Sequence, residues 1–234
     1  MSSRTTYGLA GVALVVIVVI VVLVVRWNGD QSVSVRDDGY GPVHDPGVNA
    51  LLDSDGAIVL GKLDAKTTID VYEDPLCPGC GSLEHVYGQE IAHRIDEGAL
   101  AVRYRLVNFF DDKSGSKDYS TRAVAANECV ANYGDGPLYS KFHSRLFTTD
   151  QPDESGGTLD NGQLADIAKQ VGAPDDVSQC ITKGQRVDSA RNHADAALNE
   201  LKSALGGKVK TPTVFKGTDE IDVNNENWVS EVLT

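Results

Sequence analysis

The sequence predicts an α/β domain, a mixed sheet interrupted by a block of helices, preceded by one apolar N-terminal helix. Three observations predict it. A β-branched strand, an amphipathic helix and a second strand follow one another over residues 67–110. Helical patterns then fill residues 118–205, and strands with a short helix close the chain. Residues 9–25 form an unbroken apolar run without a charge. Strand, helix and strand in this order, with a crossover this long, pair in parallel. Helices placed between two parts of one sheet are most simply an insertion, here about residues 112–206.

The N-terminal run sets the expected location. Residues 7–27 span roughly 30 Å as a helix, the thickness of a bilayer's hydrocarbon core. Tyr7 and Trp27 stand where an aromatic belt forms. The run ends Leu23-Val24-Val25-Arg26-Trp27, without the small residues of a cleavage site. Residues 1–27 are therefore expected to be an uncleaved signal anchor in the lipid bilayer, a single pass of the cell membrane with the C-terminal domain extracytoplasmic. Residues 28–54, rich in Gly, Asp, Ser and Pro, are expected to be a linker, and residues 55–234 the folded domain. With 21 Lys and Arg against 34 Asp and Glu, the net charge is −13. Such a chain repels a phosphate backbone, which excludes nucleic acid as a partner.

Each element has its own signature. Ala57-Ile58-Val59-Leu60 is a short strand closed by Gly61, and residues 67–72 form a second, β-branched one. Leu83, Tyr87, Ile91 and Ile95 recur every fourth residue, an amphipathic helix ending near Gly98. Residues 100–110 are predicted as the next strand. Helices are predicted at 118–133, 137–148, 160–171, 175–183 and 187–205. Leu164, Ile167, Ala168 and Val171 share one face, and Asp160 with Gln163 has the spacing of a capping box. Residues 209–215 and 220–223 flank a turn at 217–219, and residues 225–233 are predicted as a last short helix.

The chemistry is expected at Cys77-Pro78-Gly79-Cys80, where the strand 67–72 hands over to a helix. A sulfur at a helix N-terminus faces unpaired N–H groups and the positive end of the helix dipole. Both favour thiolate over thiol, which lowers the expected pKa of Cys77 and makes it a good leaving group in a mixed disulfide. Cys80 lies one turn on, and Pro78 suits a first helical turn. Zinc sites share the Cys-x-x-Cys spacing, but they need two more ligands, and no histidine pair here has zinc spacing. No metal is assigned, and no nicotinamide or flavin site is apparent, so no cofactor is expected. Further on, Thr211-Pro212 interrupts an apolar strand. Either the peptide bond is cis, leaving Thr211 backbone groups open to an extended chain, or Pro212 is trans on an edge strand.

Cys-Pro-Gly-Cys at a helix start, a second strand, a helical insertion and a Thr-Pro strand with a final hairpin and helix together resemble the DsbA-like thioredoxin-fold proteins, above all their membrane-anchored actinobacterial members. The resemblance covers residues 55–234. It implies a thiol:disulfide oxidoreductase with Cys77 as the exposed attacking sulfur and Cys80 as its buried partner. It also implies that Pro212 is cis and beside the pair, with Thr211 contacting substrate backbone. The implied partners are cysteine thiols of substrate proteins and a membrane reoxidase like DsbB or a vitamin K epoxide reductase homologue. The implied direction is oxidation; a reductase for cytochrome or cysteine maturation, or a non-catalytic binding or metal module, are the competing readings. Two departures stand out. The acidic residue often found six positions before the first cysteine is Val71 here, which leaves Asp70, Glu73 and Asp74 as candidates to serve Cys80. The dipeptide lacks the histidine of the strongly oxidising members, which predicts a milder oxidant.

Cys129 and Cys180 fall on two different helices of the insertion. They are expected to form a structural disulfide, against the alternatives of a second redox pair or two buried thiols. Such a bond requires an oxidising compartment, in keeping with an extracytoplasmic domain.

Overall fold

The computed structural model describes residues 34–234. The expected anchor at 1–27 and the first residues of the expected linker lie outside the described residues. Among the described residues no helix is long and apolar enough to cross a membrane.

Six strands form one mixed sheet: β1 (Asn49–Leu52), β2 (Ile58–Gly61), β3 (Thr67–Glu73), β4 (Leu100–Leu106), β5 (Thr213–Lys216) and β6 (Asp219–Ile221), in the order β1-β2-β4-β3-β5-β6. Strands β3 and β4 are parallel, in register from Thr67 opposite Leu100 to Glu73 opposite Leu106; the other pairings are antiparallel. Helix α1 (Pro78–Asp96) makes the crossover between them. Its predicted stripe of Leu83, Tyr87, Ile91 and Ile95 is buried. Side chains alternate across β3. Ile69 and Val71 enter the larger core with α1, while Tyr72 joins Val107, Phe215 and Leu201 in a smaller cluster on the opposite face.

The insertion contains α2 (Tyr119–Ala131), α3 (Gly136–Phe147), α4 (Asn161–Gln170), α5 (Asp175–Thr182) and α6 (Val187–Ala204). Helix α2 is buried along nearly its whole length and forms the hub of the block. The capping box at the start of α4 is formed, with Asp160 accepting from the Gln163 N–H and Gln163 accepting from the Asp160 N–H. Cys129 of α2 is bonded to Cys180 of α5, with Cα atoms 6.0 Å apart and a sequence separation of 51. Helix α7 (Trp228–Glu231) ends the chain and buries Trp228 against Tyr87.

Several boundaries differ from the sequence expectation for identifiable reasons. Strand β4 stops at Leu106 rather than 110, because Asp74 Oδ2 accepts from the Phe110 N–H at 2.8 Å and draws the chain into a turn that continues as a 3-10 segment, Asp111–Lys113. Strand β5 starts only at Thr213, past Pro212, which has no N–H for a ladder. Its hairpin turns on Gly217 and Thr218, with Gly217 at φ 63°. The final helix is four residues rather than nine.

The largest correction concerns the linker expected at 28–54. From Val35 onward the chain belongs to the domain. Val43 and Val48 are buried, and Asn49–Leu52 is the edge strand β1. This segment docks by polar contacts on α1, which hydrophobic periodicity cannot register. Asp96 accepts from the Tyr40 hydroxyl at 2.8 Å and from the Asp45 N–H at 3.1 Å; Gln89 accepts from the Gly41 N–H at 2.8 Å.

The Cys129–Cys180 bond closes a long loop in the unfolded chain. Chain entropy assigns it about 4 kcal/mol of stability. The double variant Cys129→Ala/Cys180→Ala is expected to lower the thermal midpoint by roughly 8–16 °C, measured by circular dichroism. An unchanged midpoint would remove the bond from the structural account.

Candidate active site

Parallel pairing of β3 and β4 brings the chain out at the carboxyl end of β3, where the loop Asp74–Leu76 leads into α1. Asp74 shapes this loop. Its Oδ1 accepts from the Leu76 N–H at 2.9 Å and the Ser120 hydroxyl at 2.6 Å, and its carbonyl accepts from the Cys77 N–H at 2.9 Å. Cys77 then caps α1 in an extended conformation, with Pro78 in the first turn. The Cys80 and Gly81 N–H groups both donate to the Cys77 carbonyl at 3.1 Å. Cys77 and Cys80 are free thiols.

The surroundings divide the two sulfurs sharply. Cys77 is held down from 9.0 to about 6, chiefly by the Cys80 thiol donating to it. Burial opposes this, while the Thr211 side chain and the Cys80 and Gly79 N–H groups add to it. Cys80 is pushed well above its ordinary value by burial first, then by its bond to Cys77 and the charge of Glu73. At neutral pH the pair therefore holds one thiolate, on Cys77.

The Thr211–Pro212 peptide bond is cis. The Cys77 thiol reaches the Thr211 carbonyl at 3.4 Å. The Pro212 ring lies close enough to Gly79 that a Cβ there would stand 3.2 Å from Pro212 Cδ. Thr211 Oγ1 is buried without another hydrogen-bond partner, so its O–H is free to serve an ionised sulfur. Cys77, Pro78, Gly79, Cys80, Thr211 and Pro212 thus meet at one point.

Accessibility departs from the expectation. The resemblance implied an exposed Cys77 over a buried Cys80, yet Cys77 is only 4% exposed and Cys80 has no open surface. The Thr211–Pro212 segment covers the sulfur on one side. On another, Gln151 donates from Nε2 to the Cys77 carbonyl at 3.0 Å and to the Pro75 carbonyl at 3.3 Å. Pro78 and Gly79 are exposed, and beside them a groove of about 440 Å³ runs between Ser82, His85, Phe147 and Gln151. Gln151 carries no signal in the sequence, where it sits in a Pro- and Gly-rich loop.

The three candidate acids separate cleanly. Asp70 points to the other face of the sheet and pairs with Arg105 at 3.0 Å and Arg103 at 3.3 Å. Asp74 is raised to about 7 by burial, and both its oxygens are occupied by the loop and α2. Glu73 is fully buried and also raised to about 7, by burial and by Glu84, against the opposing pull of His143, whose Nε2 stands 3.3 Å from Glu73 Oε2. Its neighbours are Glu84 of α1 and His143 of α3, which the sequence analysis did not single out. The available signal was periodicity: His143 falls on the same buried face as Tyr139, Phe142 and Leu146.

Two outcomes follow for Cys77. Its alkylation rate should rise with pH to a midpoint near 6, since burial scales the rate at every pH while the midpoint reports ionisation. Thr211→Val removes one donor and should move that midpoint up by about one unit; an unmoved midpoint would show the hydroxyl idle. Because the folded pKa is depressed, reduced protein gains stability relative to Cys77→Ser from about pH 6 up to the unfolded value, 9.0, and loses that gain as pH falls through about 6. Paired chemical denaturation curves across this range read it directly.

Comparison with known proteins gives this geometry a family. The thioredoxin family profile matches residues 53–232. MdbA, a thiol-disulfide oxidoreductase from Corynebacterium diphtheriae, superposes with a TM-score of 0.71 at 31% identity, over 87% of this chain and 99% of its own. Reduced DsbA from Mycobacterium tuberculosis superposes with a TM-score of 0.63 at 28% identity, over 76% of this chain and 90% of its own. The serine/threonine-protein kinase PknE of Mycobacterium tuberculosis is 39% identical over 184 residues, 77% of this chain; the match spans 32%, about a third, of the kinase's length. The profile match, the strand-to-helix cysteine pair and the cis-proline segment against it lead to one assignment: the chain belongs to the thioredoxin family, among its DsbA-like thiol:disulfide oxidoreductases.

Proposed function

We propose that the chain exchanges a Cys77–Cys80 disulfide with cysteine thiols of substrate proteins outside the cytoplasm, acting as an oxidase. One observation carries the reading: the Cys77 sulfur, at the N-terminus of α1, is held to a pKa of about 6 while Cys80 is held protonated. An ionised sulfur that is stabilised in the reduced pair makes the disulfide oxidising and makes Cys77 the better leaving group. In the forward step a substrate thiolate attacks Sγ of Cys77. The Cys77–Cys80 bond breaks, and Cys80 leaves as a thiolate that takes up a proton. The substrate's second thiolate then attacks the mixed disulfide and expels Cys77 as thiolate. The substrate is oxidised by two electrons and the pair is reduced.

Thr211 serves this sequence in two ways. Its hydroxyl supports the departing Cys77 thiolate, and its backbone offers pairing groups to an extended substrate chain beside the sulfur. The groove by His85 and Gln151, which borders Pro78, offers a seat for substrate next to the cysteine pair. The Cys129–Cys180 bond supports an oxidising compartment. The apolar run at residues 9–25 supports attachment to the bilayer as a signal anchor, with the domain on the outer side. Return of the pair to its disulfide then falls to a membrane reoxidase of the DsbB or vitamin K epoxide reductase type. A Cys77 pKa near 6 supports the reading of a milder oxidant.

Cys80→Ser in the full chain is expected to accumulate mixed disulfides with substrate proteins, seen as reducible adducts on non-reducing gels, and Cys77→Ser to form none. The oxidised protein should oxidise a dithiol peptide, with turnover in Cys77→Ser down at least about 10³-fold. Adducts at Cys77→Ser, or reduction of a disulfide peptide in place of oxidation, would reverse the proposal.

A further inference from the structure

Beneath the cysteine pair, three buried side chains from three elements converge: Glu73 from the end of β3, Glu84 from α1 and His143 from α3. One ligand-type atom from each lies within 4.8 Å of the others. His143 Nε2 stands 3.3 Å from Glu73 Oε2 and 3.5 Å from Glu84 Oε1. The three side chains are between 0% and 5% exposed. Yet Nε2, both Glu73 oxygens and Glu84 Oε1 make no hydrogen bond. Buried polar groups are rarely left without partners, because their lost hydration is then not replaced.

Something positive has to sit among these atoms, because two carboxylates face one imidazole nitrogen in a low-dielectric interior. The first candidate is a proton. Burial lowers the His143 pKa, but Glu84 and Glu73 outweigh it and bring it to about 9. A single proton on Nε2 points at one carboxylate at a time, and the two oxygens stand 3.3 and 3.5 Å away, longer than a good charge-assisted hydrogen bond. The second candidate is a cation shared by all three. Ligand atoms around a tetrahedral ion with bonds of about 2.0–2.1 Å stand about 3.3–3.4 Å apart. The two nitrogen–oxygen separations, 3.3 and 3.5 Å, lie close to that spacing.

We propose that Glu73, Glu84 and His143 form a binding site for a divalent transition-metal ion, with Zn²⁺ as its natural probe. The charge balances once the ion displaces the His143 proton, since two carboxylates and a neutral imidazole carry −2. The second ring nitrogen is placed for the role: His143 Nδ1 lies 3.4 Å from the Tyr139 hydroxyl, a partner that fixes the ring and leaves Nε2 for the ion. An entry path exists as well. A cavity of about 220 Å³ reaches Glu84 and His143 past Gly88, Ser140 and Ser144. An imidazole among so few ligands disfavours Mg²⁺ and Ca²⁺, which take six or more oxygens. The inference departs from the expectation of no metal, which rested on histidine spacing along the chain; these ligands are brought together only by the fold. It does not rest on the redox reading.

Zinc also favours thiolates, so the experiment separates the two sites. Full-length protein is stripped with a chelator, oxidised to the Cys77–Cys80 disulfide and titrated with ZnCl₂ by calorimetry. The expected result is one Zn²⁺ per chain. The Cys77→Ser/Cys80→Ser variant should bind equally, with only nitrogen and oxygen neighbours in X-ray absorption at the zinc edge. His143→Ala and Glu84→Gln should each bind at least about 100-fold more weakly, and Tyr139→Phe about 10-fold more weakly. Zn²⁺ should raise the thermal midpoint of the oxidised parent protein, while Mg²⁺ and Ca²⁺ do not; this readout needs no folded variant. No zinc bound by the oxidised parent, binding that survives His143→Ala, or binding lost with the two cysteines would each overturn the site. Mixed-disulfide trapping by Cys80→Ser is read independently, so loss of the metal site and loss of the redox assignment are told apart.

Discussion

A sulfur atom kept as an anion where almost no water reaches it is the constraint on which the rest of the site depends. Burial alone would drive Cys77 toward the neutral thiol. It is offset by donors that the fold must hold in place: the Cys80 thiol, the first N–H groups of α1 and the Thr211 hydroxyl. Each comes from a different requirement. The α1 N–H groups exist because the parallel β3–β4 pairing ends a strand where a helix begins. The Thr211 hydroxyl exists there because β5 pairs with β3 in the register Tyr72–Thr213, which brings the preceding segment over the helix start. Thiolate chemistry is thus a product of sheet topology, not of the cysteine motif alone.

Sequence periodicity exposed much of this and missed the rest in a consistent way. The βαβ unit, the helical block and the closing hairpin were legible because their apolar residues repeat at fixed spacing: Ile69 and Val71 alternating along β3, Leu83 to Ile95 on α1, Leu164 to Ala168 on α4. The 35–52 segment was not legible, because its few buried apolar residues, Val43, Val48 and Ala50, follow no helical period and Tyr40, Gly41 and Asp45 bond to polar atoms of α1. The cysteine pair was legible from its place at a strand–helix junction. Gln151 was not, since what makes it matter is two carbonyls, Pro75 and Cys77, more than seventy residues away.

The acids of residues 70–74 show the same division. Local sequence offers three carboxylates before the cysteines and no means of ranking them. Alternation along β3 sends Asp70 to the face carrying Arg103 and Arg105, where its charge is neutralised. Asp74, past the strand end, is consumed in shaping the loop. Glu73 alone is delivered beneath the pair, where its charge raises Cys80. Its surroundings, Glu84 and His143, come from helices 11 and 70 residues further along the chain.

Gly81 bears on how freely this centre can vary. A Cβ there would stand 2.7 Å from the Phe147 carbonyl and 2.2 Å from Gln151 Oε1, so the first turn of α1 lies flush against the end of α3. Gly79 has slightly more room, with the Pro212 ring as its limit. Pro78, exposed like Gly79, stands at the edge of the groove by Ser82 and His85. A side chain is thereby more easily accommodated between the two cysteines than directly after them, where contact with the inserted helices leaves room for glycine alone.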